Sequence, residues 1–497
     1  MNRPAQSLPS GQRGGTGVSM KLVAVAIAAL LGGCSLIPTY ERPAAPVEGD
    51  FSSHGAAPAG SQPATADIGW RQFFGDERLQ RLIALSLENN RDLRVAVLNI
   101  ETARAQYGVT RADRFPGVNA NANGSRQRTP GDLSYTGNAT IASQYQVNLG
   151  VTAFELDLFG RVRSLSQAAL AQYLASEETR RSTQISLVAQ LANAYLNERS
   201  SDELLALAQR TLKTRQDSYG LIKLRYDAGA ASELELQQAE SLVQSALSEQ
   251  AIAERNRAQA TNAIVLLVGQ PLPADLPAPR PLSGQALLAE VPVGLSSDLI
   301  ERRPDIRSAE QQLRSANANI GAARAAFFPR ISLTGAFGTA SNQLSGLFDS
   351  GSLAWSFAPQ ISLPIFDAGR NRANLDLAEA RKNIAVAQYE KTIQTAFREV
   401  ADALDAKGTF DRQIQSQQML VDASRRSLEL SDLRYRNGVD SYLQLLDAQR
   451  TLFTAEQSLL QARTQRLNNL VGLYKSLGGG WEENTVAAKA APASTVQ

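Results

Sequence analysis

Two stretches 209 residues apart constrain this chain more than any other feature of it. Arg225–Glu240 reads RYDAGAASELELQQAE, and Arg434–Arg450 reads RYRNGVDSYLQLLDAQR. In each, a helical pattern runs into a glycine, Gly229 or Gly438, where the backbone can turn left-handed without steric cost. A serine then stands as N-cap of a returning helix. Ser232 has Glu235 three residues on and Ser441 has Gln444, both with the spacing of a capping box. Two hairpin tips with matching chemistry predict that the whole chain is written twice.

Other segments repeat in the same order. Asn90-Arg91-Asp92-Leu93 returns as Arg303-Pro304-Asp305-Ile306, and Phe115-Pro116-Gly117-Val118 as Phe328-Pro329-Arg330-Ile331, both at an offset of 213. Leu158-Phe159-Gly160-Arg161 returns as Ile365-Phe366 and Gly369-Arg370 around an inserted Asp367-Ala368. Leu267-Val268-Gly269 returns as Ser476-Leu477-Gly478, again 209 residues on. So small a drift means one large unit duplicated, not an array of short repeats.

Each unit reads helix, strand, strand, helix, helix. Asp76 to about Arg114 carries Leu79, Leu82, Ile83 and Leu87 on one helical face. Strands follow over about 115–126 and 143–156, where Tyr145, Val147, Leu149, Val151 and Ala153 alternate with Gln146, Asn148, Gly150 and Thr152. About 161–224 is a helix without proline, roughly 90–100 Å long at 1.5 Å per residue, and about 232–268 is its return. The second unit repeats this with a helix from Leu299 to about Ala326, strands over about 329–340 and 353–365, a long helix over about 370–436 and a return over about 441–477. The chain therefore divides into a first repeat (70–269), a linker with six prolines (270–296), a second repeat (297–481) and an Ala-rich, disordered tail (482–497).

The N-terminus is a targeting segment. Lys21 precedes an apolar run, Leu22–Leu31, too short to span a bilayer, and the run ends Leu31-Gly32-Gly33-Cys34. Either Met1 or Met20 can be its start. Small residues before a lone cysteine resemble the bacterial lipoprotein signal. That resemblance implies removal of residues 1–33 and acylation of Cys34, palmitate included; Ser35 in place of Asp directs such lipoproteins to the outer membrane. An ordinary signal peptide with an incidental cysteine is the alternative. The mature chain loses Arg3, Arg13 and Lys21, leaving 47 basic against 48 acidic residues. Residues 34–69, rich in Ala, Pro, Gly and Ser, read as an extended tether, with Trp70, Phe73 and Phe74 marking the start of packing.

Composition removes most chemistry. One Cys and one His exclude an internal disulfide and a Cys/His zinc site, and His54 lies in the tether, with no setting for a triad. A net charge of +2 shows no basic excess for nucleic acid. No GK dipeptide offers a phosphate loop. No cofactor, metal or catalytic set is expected.

Four strands with one apolar and one polar face have the pattern of a membrane barrel with a wet lumen. Four cannot close one, and lipid does not tolerate open edges. Stripes such as Leu187, Leu191, Ala194, Leu205 and Leu212 likewise need partners of equal length. Several chains pooling their strands and helices in a ring would satisfy both needs.

The paired tips, the FFP junctions before the strands and the segment LPIFDAGR resemble the TolC-type outer-membrane factors, in order, over about Trp70–Trp481. The lipobox and length make the chain similar to the lipidated OprM or NodT-like branch. The resemblance implies a mainly α fold with a small membrane β part. It implies a homotrimer whose 12-stranded outer-membrane barrel continues into a long periplasmic α-helical barrel. It further implies an exit duct for small toxic compounds in a tripartite efflux system, with a periplasmic adaptor and an inner-membrane pump as partners.

In that family the tips close a periplasmic aperture. Asp447 matches the aperture aspartate, and its counterpart in the first repeat is Gln238; from the residues alone it is also a solvated helix carboxylate. Leu443 matches an apolar constriction, or is a plain core leucine. Tyr435 and Arg436 match residues that latch neighbouring hairpins, or form an ordinary helix C-terminus. Two rivals stand beside the efflux duct: a duct for type I protein secretion, and a lipid-anchored periplasmic coiled-coil scaffold.

Overall fold

The computed structural model describes residues 35–47, 51, 65–135, 137–285, 287–288 and 300–485. The signal segment, Cys34, most of the tether, part of the linker and the end of the tail lie outside the described residues. The element order is α1 (Glu77–Asn89), α2 (Arg91–Ala112), β1 (Val118–Thr129), β2 (Thr140–Leu156), α3 (Arg161–Asp227) and α4 (Glu233–Val268), then α5 (Pro304–Ala325), β3 (Arg330–Ser341), β4 (Leu353–Ser362), α6 (Arg370–Arg436) and α7 (Tyr442–Ser476). The duplication is visible in that order, and α3 and α6 are each 67 residues long.

Both long helices start by one device. The Asp157 carboxylate accepts from the backbone N–H of Val162 (3.1 Å) and Arg163 (2.7 Å). The Asp367 carboxylate accepts from Gly369 (3.0 Å) and Asn371 (2.9 Å). A carboxylate on the first turn satisfies amides that have no intrahelical partner and faces the positive end of the helix dipole.

The helix expected from Asp76 to Arg114 is two helices. Asn90 is extended (φ −63°, ψ 133°); its Oδ1 accepts from the Leu93 N–H at 3.0 Å and its Nδ2 donates to the Leu267 carbonyl at 2.9 Å. One side chain thus caps α2 and the C-terminus of α4. Arg303 does the second task in the other repeat, its Nη1 donating to the Ser476 carbonyl at 2.8 Å. For the same reason the helix expected from Leu299 is broken: residues 300–302 are helical, Arg303 is not, and the helix resumes at Pro304, whose missing N–H costs nothing at a first helical position.

Two compact units are described separately. One comprises 105–170, 314–383 and the described part of 1–41. It holds a four-stranded antiparallel sheet in the order β1-β2-β3-β4. Strand bounds shift from expectation: β1 covers 118–129, β2 starts at Thr140, and β4 stops at Ser362, two residues before Pro364. The register lines up Ala120, Leu149, Phe337 and Trp355 in one row, and Val118, Val151, Gly335 and Phe357 in the next. Leu149, Phe337, Trp355, Phe357 and Ile361 are all exposed in the single chain. The expected alternation fails at Ala153, which lies in a bulge between Val151 and Phe154 with φ 51°; Thr152 and Ala153 therefore do not continue the two faces.

The other unit comprises the described residues of 42–104, 171–313 and 384–497. Its core includes Phe73 stacked on Tyr474 at 3.9 Å and Phe74 edge-on to the same ring. The Tyr195 hydroxyl donates to Asp76 Oδ2 at 2.9 Å and the Tyr474 hydroxyl to the Ile68 carbonyl at 2.6 Å, so these two buried phenols are satisfied.

Two terminal readings need correction. The tether is bound where it is described. Asn317 donates to the Pro38 carbonyl at 2.8 Å, Arg42 pairs with Glu310 at 3.0 Å, and Phe51 stacks on Phe397 at 4.6 Å. At the other end, Glu482 and Glu483, read as disordered tail, accept backbone hydrogen bonds from Trp70 and Arg71. Scattered aromatic and charged residues carry these contacts without any period a sequence pattern could show.

Candidate functional site

Both hairpin tips close by the same backbone motif. The Gly229 N–H donates to the Tyr226 carbonyl (2.8 Å) and Ala230 to Arg225 (2.7 Å); Gly438 donates to Tyr435 (3.0 Å) and Val439 to Arg434 (3.0 Å). This is the Schellman pair of bonds, with φ +74° at Gly229 and +71° at Gly438.

The returning helices start differently. At the first tip the capping box is complete: the Ser232 hydroxyl accepts from Glu235 N and the Glu235 carboxylate from Ser232 N, each at 3.2 Å. At the second it is not. Ser441 stands at the N-cap with no side-chain bond, because its backbone carbonyl takes the Gln444 N–H at 3.2 Å. Asp440, which the sequence reading passed over, stands in. It binds Arg434 in a fork, Nε to Oδ2 at 2.7 Å and Nη2 to Oδ1 at 2.8 Å. These two bonds hold the Asp440 carboxyl below the usual carboxylate range. Their spacing across Gly438 was the available signal.

A buried cluster joins the two hairpins above the tips: Ile222 of α3, Ala239 and Leu242 of α4, Tyr435 of α6, and Tyr442, Leu445 and Leu446 of α7. The Tyr435 and Tyr442 rings lie 5.5 Å apart, and the Arg225 guanidinium sits 5.0 Å over Tyr435. Among the described residues neither buried hydroxyl has a hydrogen-bond partner. Burial pushes the Tyr442 phenol up to about 12. Arg225, Tyr442 and Asp440 are thus tip residues that the sequence reading missed.

The expected aperture residues divide. Tyr435 is 5 % exposed and belongs to the core between the hairpins. Arg436 is on the surface and pairs one turn back with Asp432 at 2.9 Å. Leu443 is 60 % exposed, not a core leucine. Asp447 is exposed one turn further along α7, on the same face as Leu443 by helical spacing. The remaining surface of the helix carries Tyr442, Leu445 and Leu446 into the core. Leu221, Leu224 and Leu234 of the first tip and their counterparts Leu430, Leu433 and Leu443 are all exposed, so the apolar dressing of the tips is duplicated with the fold. Among the described residues there is no group of His, Cys, Asp and Glu that could hold a metal ion, and no helix long and apolar enough to cross a membrane.

Comparison with known proteins agrees with this architecture. The family model described as "Outer membrane efflux protein" matches residues 82–270 and again 295–479. The solvent efflux pump outer membrane protein SrpC of Pseudomonas putida is 53% identical over 455 residues, 91% of this chain and 96% of SrpC. The outer membrane protein OprJ of Pseudomonas aeruginosa is 53% identical over 460 residues, 93% of this chain and 96% of OprJ. The crystal structure of the open state of the Neisseria gonorrhoeae MtrE outer membrane channel superposes with a TM-score of 0.82 at 45% identity, covering 91% of this chain and 100% of that one. The scaffold reading falls with these matches, and the sheet with its exposed apolar face lies in the outer membrane of a Gram-negative cell. The chain belongs to the outer membrane efflux protein family.

Proposed function

We propose that this chain is the exit duct of a tripartite pump for small toxic compounds, solvents and antibiotics among them, and that it is gated at its own helix tips. Three copies pool three four-stranded sheets into a twelve-stranded barrel, lipid on Cys34 anchors each copy, and a periplasmic adaptor joins the duct to an inner-membrane pump. No bond is made or broken; the work is passive conduction. The observation that carries the gate is the pairing of Leu443 and Asp447 on one exposed line of α7 while Tyr442, Leu445 and Leu446 beside it are locked into the two-hairpin core. A threefold axis turns that line into an apolar ring and a ring of carboxylates. Like charges at short range repel or share a cation, which makes such a ring sensitive to small displacements. The exposed, duplicated leucines give the adaptor an apolar surface to meet.

Asp447→Ala in the purified assembly tests this. Conductance in planar bilayers rises, and cells carrying the variant become sensitive to a bulky antibiotic that enters only through an open duct. Unchanged conductance removes Asp447 from the gate.

A further inference from the structure

One buried charge near the tips has no part in the gate described so far. Arg215 lies on α3, about four turns before Gly229, and is 5 % exposed. Its Nη1 donates to the Leu242 carbonyl of α4 at 3.2 Å. Its guanidinium carbon lies 5.5 Å from the centre of the Phe453 ring of α7. Its Nε has no partner. The hydrogen bond stays inside the first hairpin, and the ring contact crosses to the second.

The other buried arginines differ. Among the described residues, Arg199 pairs with Glu198 at 2.7 Å and Asp202 at 2.9 Å, and Arg303 with Asp305 at 2.5 Å and Glu399 at 3.0 Å. Among the described residues no carboxylate lies at salt-bridge distance from Arg215; Glu249, Arg450 and the Tyr442 phenol are the titratable groups that act on it. Burial pulls its guanidinium below the ordinary range, whereas Arg303 is raised. Helix packing does not require a cation here, because the matching position of the second repeat is the small, buried Ser424.

A guanidinium has five N–H donors. One neutral carbonyl and one ring face compensate its removal from water poorly, whereas carboxylate pairs compensate it well. Separation of α7 from α3 would return the charge to water. We propose that Arg215 is a positioning residue of the gate: it makes the closed packing of the two hairpins less stable than an apolar side chain would, and so keeps the closed tip within reach of opening. This rests on the tip gate proposed above.

Arg215→Met tests it in the purified channel and in cells with the intact pump and adaptor. Met keeps an unbranched apolar stem among the same helices and removes the charge. The open fraction in planar bilayers falls at least tenfold, solvent resistance falls with it, and the melting temperature is unchanged or higher. Arg215→Gln, neutral but still able to donate to Leu242, shifts the open fraction the same way and carries the test if the Met variant does not assemble. Arg215→Lys stays near wild type. An open fraction unchanged or raised in Arg215→Met overturns the proposal, as does lower melting with assembled channels conducting normally, the mark of a purely structural role. With Asp447→Ala measured alongside, a response there alone removes only Arg215. No response from either variant removes the tip gate itself.

Discussion

The two tip glycines separate conformation from packing more cleanly than any other residues here. A Cβ added at Gly229 or Gly438 would meet nothing within 4 Å, yet both positions have φ above +70°. Substitution cost is therefore backbone strain alone. Gly438→Ala should lose about 1–2 kcal/mol, Gly438→Asn less because Asn tolerates the left-handed region, and Gly438→Val more. Thermal melting of the assembled protein ranks the three, and equal melting of the Asn and Val variants would contradict the turn. Asp440 supplies a pH dependence at the same tip. Its folded pKa is depressed by Arg434, so the stabilisation it gives is present above the unfolded value of 3.8 and fades as pH falls through the lower folded value. Amide exchange at Val439 and Ser441 should accelerate, relative to an unstructured peptide, as pH drops below about 4. Asp440→Asn should remove that pH dependence. A profile identical in the variant would show that the clasp is idle in solution.

At the scale of elements, the long helices were legible because no proline interrupts α3 or α6, the single glycines Gly220 and Gly408 are too weak to break them, and their ends carry strong local chemistry at Asp157, Asp367, Gly229 and Gly438. The misses share one cause, a side chain whose task is set by a distant partner. Asn90 reads as a tolerable helix residue until the Leu267 carbonyl is beside it. Ser441 has the spacing of a capping box, and a single backbone bond pre-empts it. Ala153 reads as one more apolar residue until the bulge turns it, its N–H bonding Thr334 Oγ1 at 3.1 Å. Of the residues assigned to the proposed gate, Tyr435, Arg436, Leu443 and Asp447 come from the resemblance, while Arg225, Tyr442 and Arg215 come from the structure alone. Their roles arise only where the first hairpin packs on the second, and no period within one helix announces that. The sheet was legible because its two faces alternate, and it makes its own prediction. Phe357 lies in the exposed apolar rows, and an arginine on a lipid-facing strand costs about 2–4 kcal/mol at the bilayer midplane. Phe357→Arg should cut the amount of protein recovered in the outer membrane, while Ser356→Arg on the opposite face should not. Equal recovery of the two variants would mean that the face carrying Phe357 does not meet lipid.

The whole molecule cannot be one chain. Among the described residues, strands β1 and β4 each pair on one side only, and an open edge in hydrocarbon leaves a row of backbone donors and acceptors unsatisfied. The helices have the same deficit: α2 buries Leu93 alone, while Val95, Leu98 and Val109 are exposed. Both deficits are met by copies of the same chain placed around one axis, because each copy brings the β1 edge that its neighbour's β4 edge lacks. Two copies give eight strands and three give twelve; the polar face of the sheet, with Asn121 and Asn148 side by side at 3.4 Å, needs a lumen wide enough for water, which a small barrel filled by its own side chains does not provide. Three is therefore the expected number. Native mass spectrometry of the detergent-extracted, acylated protein should give one species of three chains, each heavier than the mature polypeptide by the lipid on Cys34, and salt washing should release none of it from the membrane. A monomer, or release by salt without detergent, would leave the strand edges without partners and remove the shared barrel, and with it the threefold ring proposed for the gate.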